Sequence, residues 1–423
     1  MGQQIDSRHS YHNSEQKGET LLRTIAQKPV ARSKSKGSTW PVYITLLLIG
    51  IAWVYGYLSS GTDVAPLVQE VIPGAAKVEL RGRLFIGLAE DGKQVAGYAA
   101  LGESSGYGGP IEMLVGINPQ GEITGVKIVK QRETPGFFRL LEREGFVLQF
   151  LQKKFDQRFI VGEDLDAISG ATFSAEGVAA SARQAIRALA QDGMNRSLPA
   201  EKRPIKFGIP EATLILLYAA GYFGHKLRHP AWKRRMRWGT MLVGMVMLGF
   251  IYTMPFTIAQ VVSLMSGFWP DWHNNLYWYL LVGGILFVTT VDAKNPYCAW
   301  FCPFGAFQEC LATLSGARHY RPRRWSTALT WLQRGMALIA ILLGLALRRP
   351  GVSGYEPFPT LFDLRGTAVQ WIFLLVIVLA SLIIYRPFCS YLCPLDPVID
   401  FIAEGRRRIR EVWQQWQKHA AKG

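Results

Sequence analysis

Cysteine is scarce here, five residues in 423, and histidine nearly so, with seven. No two histidines are placed within an apolar run to bind haem, and His225 and His229 lie in a basic stretch where solvation is expected. Acidic side chains are also short, 31 against 47 Lys and Arg, which leaves a net charge of +16. A nucleic-acid-binding protein would show such charge as a stripe on a polar domain. Here 49% of residues are hydrophobic, 13 are tryptophan, and the basic residues sit beside apolar runs. Nucleic acid is therefore not an expected partner. Nor does any stretch read as a helix-turn-helix or a kinase-like output module, which argues against a signalling protein.

Long apolar runs, by contrast, are abundant. Crossing a hydrocarbon core of ~30 Å takes about 20 residues, and six runs approach or reach that length: Trp40–Ser59, Ile209–Gly224, Met241–Ser263, Leu276–Val291, Trp331–Leu347 and Ala368–Tyr385. The second is short and contains Glu211. The first follows 39 polar residues and lacks a small-x-small cleavage site, so it is expected to be a retained anchor rather than a signal peptide. Flanking charge alternates. Seven Lys and Arg precede Trp40, six lie in the loop 225–237, five follow the fourth run through Arg324, and seven follow the sixth, whereas 266–275 has none. By the positive-inside rule this predicts a polytopic α-helical membrane protein with about six spans and both termini in the cytoplasm.

The same pattern predicts a disordered tail over 1–39, an anchor over 40–60, an extracytoplasmic α+β domain over 61–207, a five-helix membrane domain over 208–396 and a basic tail over 397–423. The outer domain balances 18 basic against 18 acidic residues. It mixes a strand-like run at 122–130 with a helical run at 173–191. In the tail, Ile409, Val412, Trp413 and Trp416 share one helical face. That face suits either membrane lipid or packing on the core.

Four of the five cysteines form a repeat. "PYCAWFCPF" (296–304) and "PFCSYLCPL" (387–395) match at Pro, aromatic, Cys, aromatic, Cys and Pro; Cys298 and Cys389 are 91 positions apart, as are Cys302 and Cys393. Both copies fall on the expected cytoplasmic side, where a reducing environment disfavours disulfides. Two pairs could bring four thiolates to one centre, and four sulfurs around metal mean zinc or iron–sulfur. Cys310 has no such partner and is expected to pack.

The outer domain holds the string Asp166-x-x-Ser169-Gly170-Ala171-Thr172 just before the helical run. A threonine there lies beside free N–H groups and the positive end of the helix dipole, which is a setting for an anion. The string resembles the flavinylation signature of the FMN-binding domains in the RnfG and NqrC subunits of ion-pumping respiratory complexes. In that family a flavin transferase of the ApbE type attaches FMN to the threonine through a phosphoester. The resemblance implies Thr172 as the attachment point, with Asp166, Ser169, Gly170, Ala171 and Ser174 around it. It further implies that Glu133, Thr134, Pro135 and Gly136 lie near the ring, with the Gly-rich 106–110 segment, Gly109 included.

From the first apolar run to the second cysteine motif, the chain is similar to the NosR/NirI family. "CAWFCPFGAFQE" (298–309) and "RPFCSYLCPL" (386–395) carry that likeness. The family combines an outward FMN domain with C-x-x-x-C-P membrane motifs and delivers electrons to exported reductases. Longer members add ferredoxin-type cysteine segments that do not follow Cys393 here, a short form that also resembles PceC/RdhC proteins. The resemblance implies covalent FMN, a 4Fe-4S cluster on Cys298, Cys302, Cys389 and Cys393, a cytoplasmic-side or quinol donor, and an exported terminal reductase. A redox-sensing regulator and a maturation factor for an exported enzyme are the competing expectations.

Overall fold

The computed structural model describes residues 40–59, 61, 64–106, 108–133, 135–168, 172–199, 205, 207–292, 295–317 and 325–420. The expected tail over 1–39 lies outside them. The described chain divides at Leu47/Leu48, and the sheet and the helices that follow it both lie within residues 48–423.

After helix α1 (Trp40–Leu58) and short α2 (Ala65–Val71), five strands follow in sequence: β1 (Lys77–Arg81), β2 (Leu84–Leu88), β3 (Val95–Ser105), β4 (Pro110–Ile117) and β5 (Ile123–Gln131). They form one antiparallel sheet in the order β1-β2-β3-β4-β5. The strand expected over 122–130 is β5. Side chains alternate across the sheet, as strand geometry requires. Ile111, Met113, Val115 and Ile117 enter one core with Ala179 and Ala182, while Leu114 and Ala99 enter another with Val68 and Val71. The sheet is thus covered on both faces. Helix α3 (Pro135–Arg143) follows β5, and α4 (Thr172–Ala188) continues as a π turn to Gly193. Helix α4 crosses β3 with its backbone almost in contact: a Cβ at Gly102 would lie 2.6 Å from Ala185 N.

The remainder is helical: α5 (Ile209–Lys226), α6 (Pro230–Val243) continuing as a π stretch to Ile251, α7 (Ile258–Ser266), α8 (Leu276–Asp292), a π turn Tyr297–Phe301, α9 (Pro303–Ser315), α10 (Ser326–Ala346), α11 (Phe358–Phe362), α12 (Ala368–Ile383), α13 (Pro387–Tyr391) and α14 (Leu395–Ala420). Helices α1 and α10 are long and apolar enough to cross a hydrocarbon core; Ile209–Gly224, Leu276–Val291 and Ala368–Ile383 are apolar but shorter.

Two expectations need correction. The run Met241–Ser263 is not one span: the helix ends at Tyr252, residues 253–257 are irregular, and α7 starts anew at Ile258. Thr253 has a left-handed φ of 49°, and Pro255 cannot donate a helical hydrogen bond. The basic stretch 225–237 is not a loop throughout, because α6 begins at Pro230. For the apolar face of the C-terminal segment the sequence leaves two placements open, and Ile409, Val412, Trp413 and Trp416 are all exposed rather than packed on the core. Glu211, the charge that weakened the second run, has a structural reason. It stands in the first turn of α5, where its Oε2 accepts the Gly208 N–H at 2.8 Å, as a capping carboxylate does.

Candidate cofactor sites

Thr172 is the first residue of α4 and is exposed. Ser169, Gly170, Ala171 and Thr134 lie outside the described residues, as do the surroundings of Pro135 and Gly136, which open α3. Two residues after Thr172, α4 joins a buried polar knot at Ser174. The Glu133 carboxylate is 4% exposed and accepts the Gly108 N–H at 3.1 and 3.2 Å, while the Ser174 hydroxyl donates to it at 2.9 Å. A buried carboxylate is tolerated only when hydrogen-bonded in this way. Ser174, expected beside the flavin, is thus committed to Glu133 and joins the 106–109 turn to α4.

The glycines of that turn are required by packing. A Cβ at Gly106 would overlap the Glu133 carboxylate, one at Gly109 would lie 2.9 Å from Arg132 Cβ, and one at Gly177 would lie 2.7 Å from Gly106 Cα. Asp166 is exposed; its backbone N–H donates to Gln149 Oε1 at 2.7 Å. The structure therefore unites Glu133, Ser174 and the Gly-rich turn at the Thr172 end of α4, and leaves Asp166 at the surface. An exposed hydroxyl at a helix start, above a rigid polar knot, fits a phosphoester.

The cysteine repeat is also a structural repeat. Cys302 N–H donates to Tyr297 O at 2.7 Å and Cys393 N–H to Phe388 O at 2.8 Å, the same five-residue closure in both copies. In each copy the motif's proline then leads into a helix, α9 or α14. Cys302 and Cys393 lie in one hydrophobic core, with Cys298 packed against it. Burial holds all four thiols above their ordinary range, Cys389 up to about 12, and they act on one another: Cys298, Cys302 and Cys389 all oppose ionisation of Cys393. Cys310 is half-buried and faces the charges of Glu309 and Arg386 instead. Among the described residues no three metal-binding side chains are drawn in around a single ion.

Beside the thiols is an ion network that spacing in the sequence does not reveal. Glu309, 5% exposed at its side chain, takes Arg237 at 2.6 and 2.7 Å and Arg386 at 2.5 Å. Arg237 also donates to Ala299 O at 3.1 Å and Arg386 to Cys298 O at 3.3 Å. The Arg386 Nε is buried with no partner among the described residues, and its charge favours the thiolate forms of Cys302 and Cys389. Four desolvated thiols with an unspent cationic donor beside them suit an anionic thiolate-bound cluster. From the other side Gln333 Nε2 donates to Cys393 O at 2.9 Å.

An aromatic link leads inward from the first motif. Tyr297, next to Cys298, accepts the Phe256 N–H on its hydroxyl at 2.8 Å, and the Tyr277 hydroxyl donates to Met254 O at 2.9 Å. The interrupted segment 253–257 thus links Tyr297, in the π turn after α8, to Tyr277 in the first turn of α8.

Comparison with known proteins bears on both sites. Residues 106–187 match the FMN-binding domain family, and residues 274–321 and 369–411 match the 4Fe-4S binding domain family. The regulatory protein NosR of Pseudomonas aeruginosa is 26% identical over 48% of this chain and 31% of its own length. Protein NirI of Paracoccus denitrificans is 30% identical over 44% of this chain and 29% of its own. This chain therefore spans less than a third of those relatives. A component of the proton-translocating ferredoxin:NAD(+) oxidoreductase complex of Clostridium ljungdahlii is 33% identical over 23% of this chain and 56% of its own length. The solved structure of NqrC from Shewanella oneidensis matches 29% of this chain and 70% of its own at 16% identity and a TM-score of 0.21, too low to bear on the fold. The chain thus carries an FMN-binding domain ahead of a divided 4Fe-4S binding domain, and is a homologue of NosR and NirI over about half its length.

Proposed function

We propose that this protein is an electron carrier of the bacterial inner membrane, with FMN esterified to Thr172 on the outer face and a 4Fe-4S cluster on Cys298, Cys302, Cys389 and Cys393 near the inner face. When bound, the two groups supply one-electron exchange, and the flavin two-electron exchange as well. The observation that carries the reading is that the Thr172 end of α4 and the cysteine repeat belong to one scaffold. The turn at Gly106–Gly109 faces the Tyr277 end of α8, and Cys298 follows the other end. Seventeen helical residues separate those ends by about 25 Å, close to the ~30 Å of a hydrocarbon core.

The chain's own residues do the holding. Glu133 and Ser174 fix the turn against α4, Arg386 and Glu309 set the charge beside the thiols, and Tyr277 and Tyr297 fill the space between. Apolar helices α1, α5, α8, α10 and α12, with the α6–α7 pair interrupted at 253–257, support a polytopic placement with cytoplasmic termini. Electrons run outward, from a cytoplasmic-side or quinol donor toward an exported reductase, and an ApbE-type transferase loads the flavin. A redox-sensing role is the second reading, favoured by the likeness to NosR, which is named a regulatory protein.

The test uses full-length protein made anaerobically with and without a flavin transferase. Flavin fluorescence should survive denaturation only with the transferase, and Thr172→Ala should abolish it while Thr172→Ser retains it. Iron and acid-labile sulfide should be present, and should fall sharply on removing any of the four cysteines. Stoichiometric zinc without iron would defeat the cluster assignment.

A further inference from the structure

Between the sheet domain and the helices lies a cavity of about 550 Å³. Ser105, Gly106, Gly109 and Glu176 line one wall; Gln260 of α7 and Tyr277 and Trp278 of α8 are on the other. We propose that this cavity is the seat of the flavin ring system, so that α7 and α8 supply half of the flavin site. The inference rests on FMN being attached at Thr172 and adds where its ring lies.

Four features point there. Glu176 is one helical turn beyond Thr172 and on the same face of α4, so a group tethered at Thr172 lies directly above this wall. The volume falls in the range of about 300–1,000 Å³ that holds a ligand of this size. The far wall offers the aromatic faces on which a planar ring stacks. Finally, Gln260 Oε1 is buried and without a hydrogen-bond partner among the described residues. An orphan acceptor of this kind is met by a donor when a ligand fills the site, and an isoalloxazine presents one N–H donor on its pyrimidine edge.

A larger cavity of about 960 Å³ is the rival. It is lined by Lys127, Lys130, Arg132, Arg348 and Arg349 and includes no residue of α4 and neither Gly106 nor Gly109. Its cationic wall suits an anion rather than a neutral ring. The smaller cavity is also linked to the first cysteine motif, because Tyr277, which lines it, donates to Met254 O and Phe256 N–H donates to Tyr297.

The experiment compares full-length, flavin-loaded wild type, Trp278→Phe and Gln260→Leu. Covalent loading is read on denaturing gels, and native flavin emission and its quenching by iodide are read in solution. Wild type should emit weakly and resist iodide. Trp278→Phe should raise emission severalfold, because the indole quenches a stacked flavin, and Gln260→Leu should shift the flavin absorption bands. A wild-type flavin that is bright and open to iodide, or variants indistinguishable from wild type at equal loading, would overturn the assignment while leaving Thr172 attachment intact. Absence of covalent flavin from wild type made with the transferase would overturn both.

Discussion

Arg386 shows how one side chain can decide a site. Its guanidinium pairs with Glu309, donates to Cys298 O and keeps a buried Nε free beside the thiols. Removing one member of a buried ion network typically costs about 3–5 kcal/mol, because the remaining charge is left uncompensated. Arg386→Gln should therefore lower the thermal unfolding midpoint, reduce iron per chain and make the bound cluster harder to reduce. Arg386→Lys should recover the charge but not the forked hydrogen bonding, and so restore the potential more than the stability. Unchanged iron and potential in both variants would show that Arg386 serves packing alone. The thiols and Thr172 were legible from their motifs. Arg386 was not, since it meets Arg237 only through Glu309, which lies 72 positions from Arg237, and the sequence marks none of the three.

At the scale of elements, two helix ends carry consequences. The N–H of Ile258, which opens α7, donates to Glu356 Oε1 at 2.6 Å, across 98 positions of sequence. Burial raises the Glu356 carboxyl from its ordinary 4.5 to about 7. A raised folded-state pKa means that the folded protein holds the proton more tightly. The contribution is then full below pH 4.5 and is lost as pH rises through 7, a change on the order of 3 kcal/mol over that window. Glu356→Gln keeps an acceptor for Ile258 without the charge. It should remove this pH dependence and unfold at a higher temperature than wild type at about pH 8, above the window of that titration; an equal or lower midpoint there would contradict the assignment. At the other end of the chain, α14 buries Leu395 and Ile399 and then exposes Ile409, Val412, Trp413 and Trp416 along one face flanked by arginines. We propose that this face meets the headgroup region of anionic lipid. Tryptophan emission from a peptide of residues 395–420 should shift to the blue on vesicles containing anionic lipid, and a Trp413→Glu, Trp416→Glu double variant should lose the shift. Periodicity made α4, the C-terminal helix and β5 legible. It failed at 253–257, where Met254, Pro255 and Phe256 keep the run apolar while the backbone leaves the helix.

For the whole molecule, the interruption at 253–257 changes the distance problem. The two candidate sites lie toward the two ends of α8, a helix about 25 Å long. Tyr277 donates to Met254 O and Phe256 N–H donates to the Tyr297 hydroxyl, so the 253–257 segment links the two tyrosines. The cysteine centre and the flavin domain then act as a relay only if both are loaded and correctly oriented. The most direct measurement uses full-length protein, flavin-loaded and rebuilt into vesicles of known orientation, with a membrane-impermeant reductant on the cytoplasmic face alone. Flavin on the opposite face should be reduced in the wild type, and Cys298→Ser or Cys389→Ser should stop that reduction while covalent flavin stays in place. Equal flavin reduction in wild type and both cysteine variants would contradict an inward-to-outward relay through the cysteine centre.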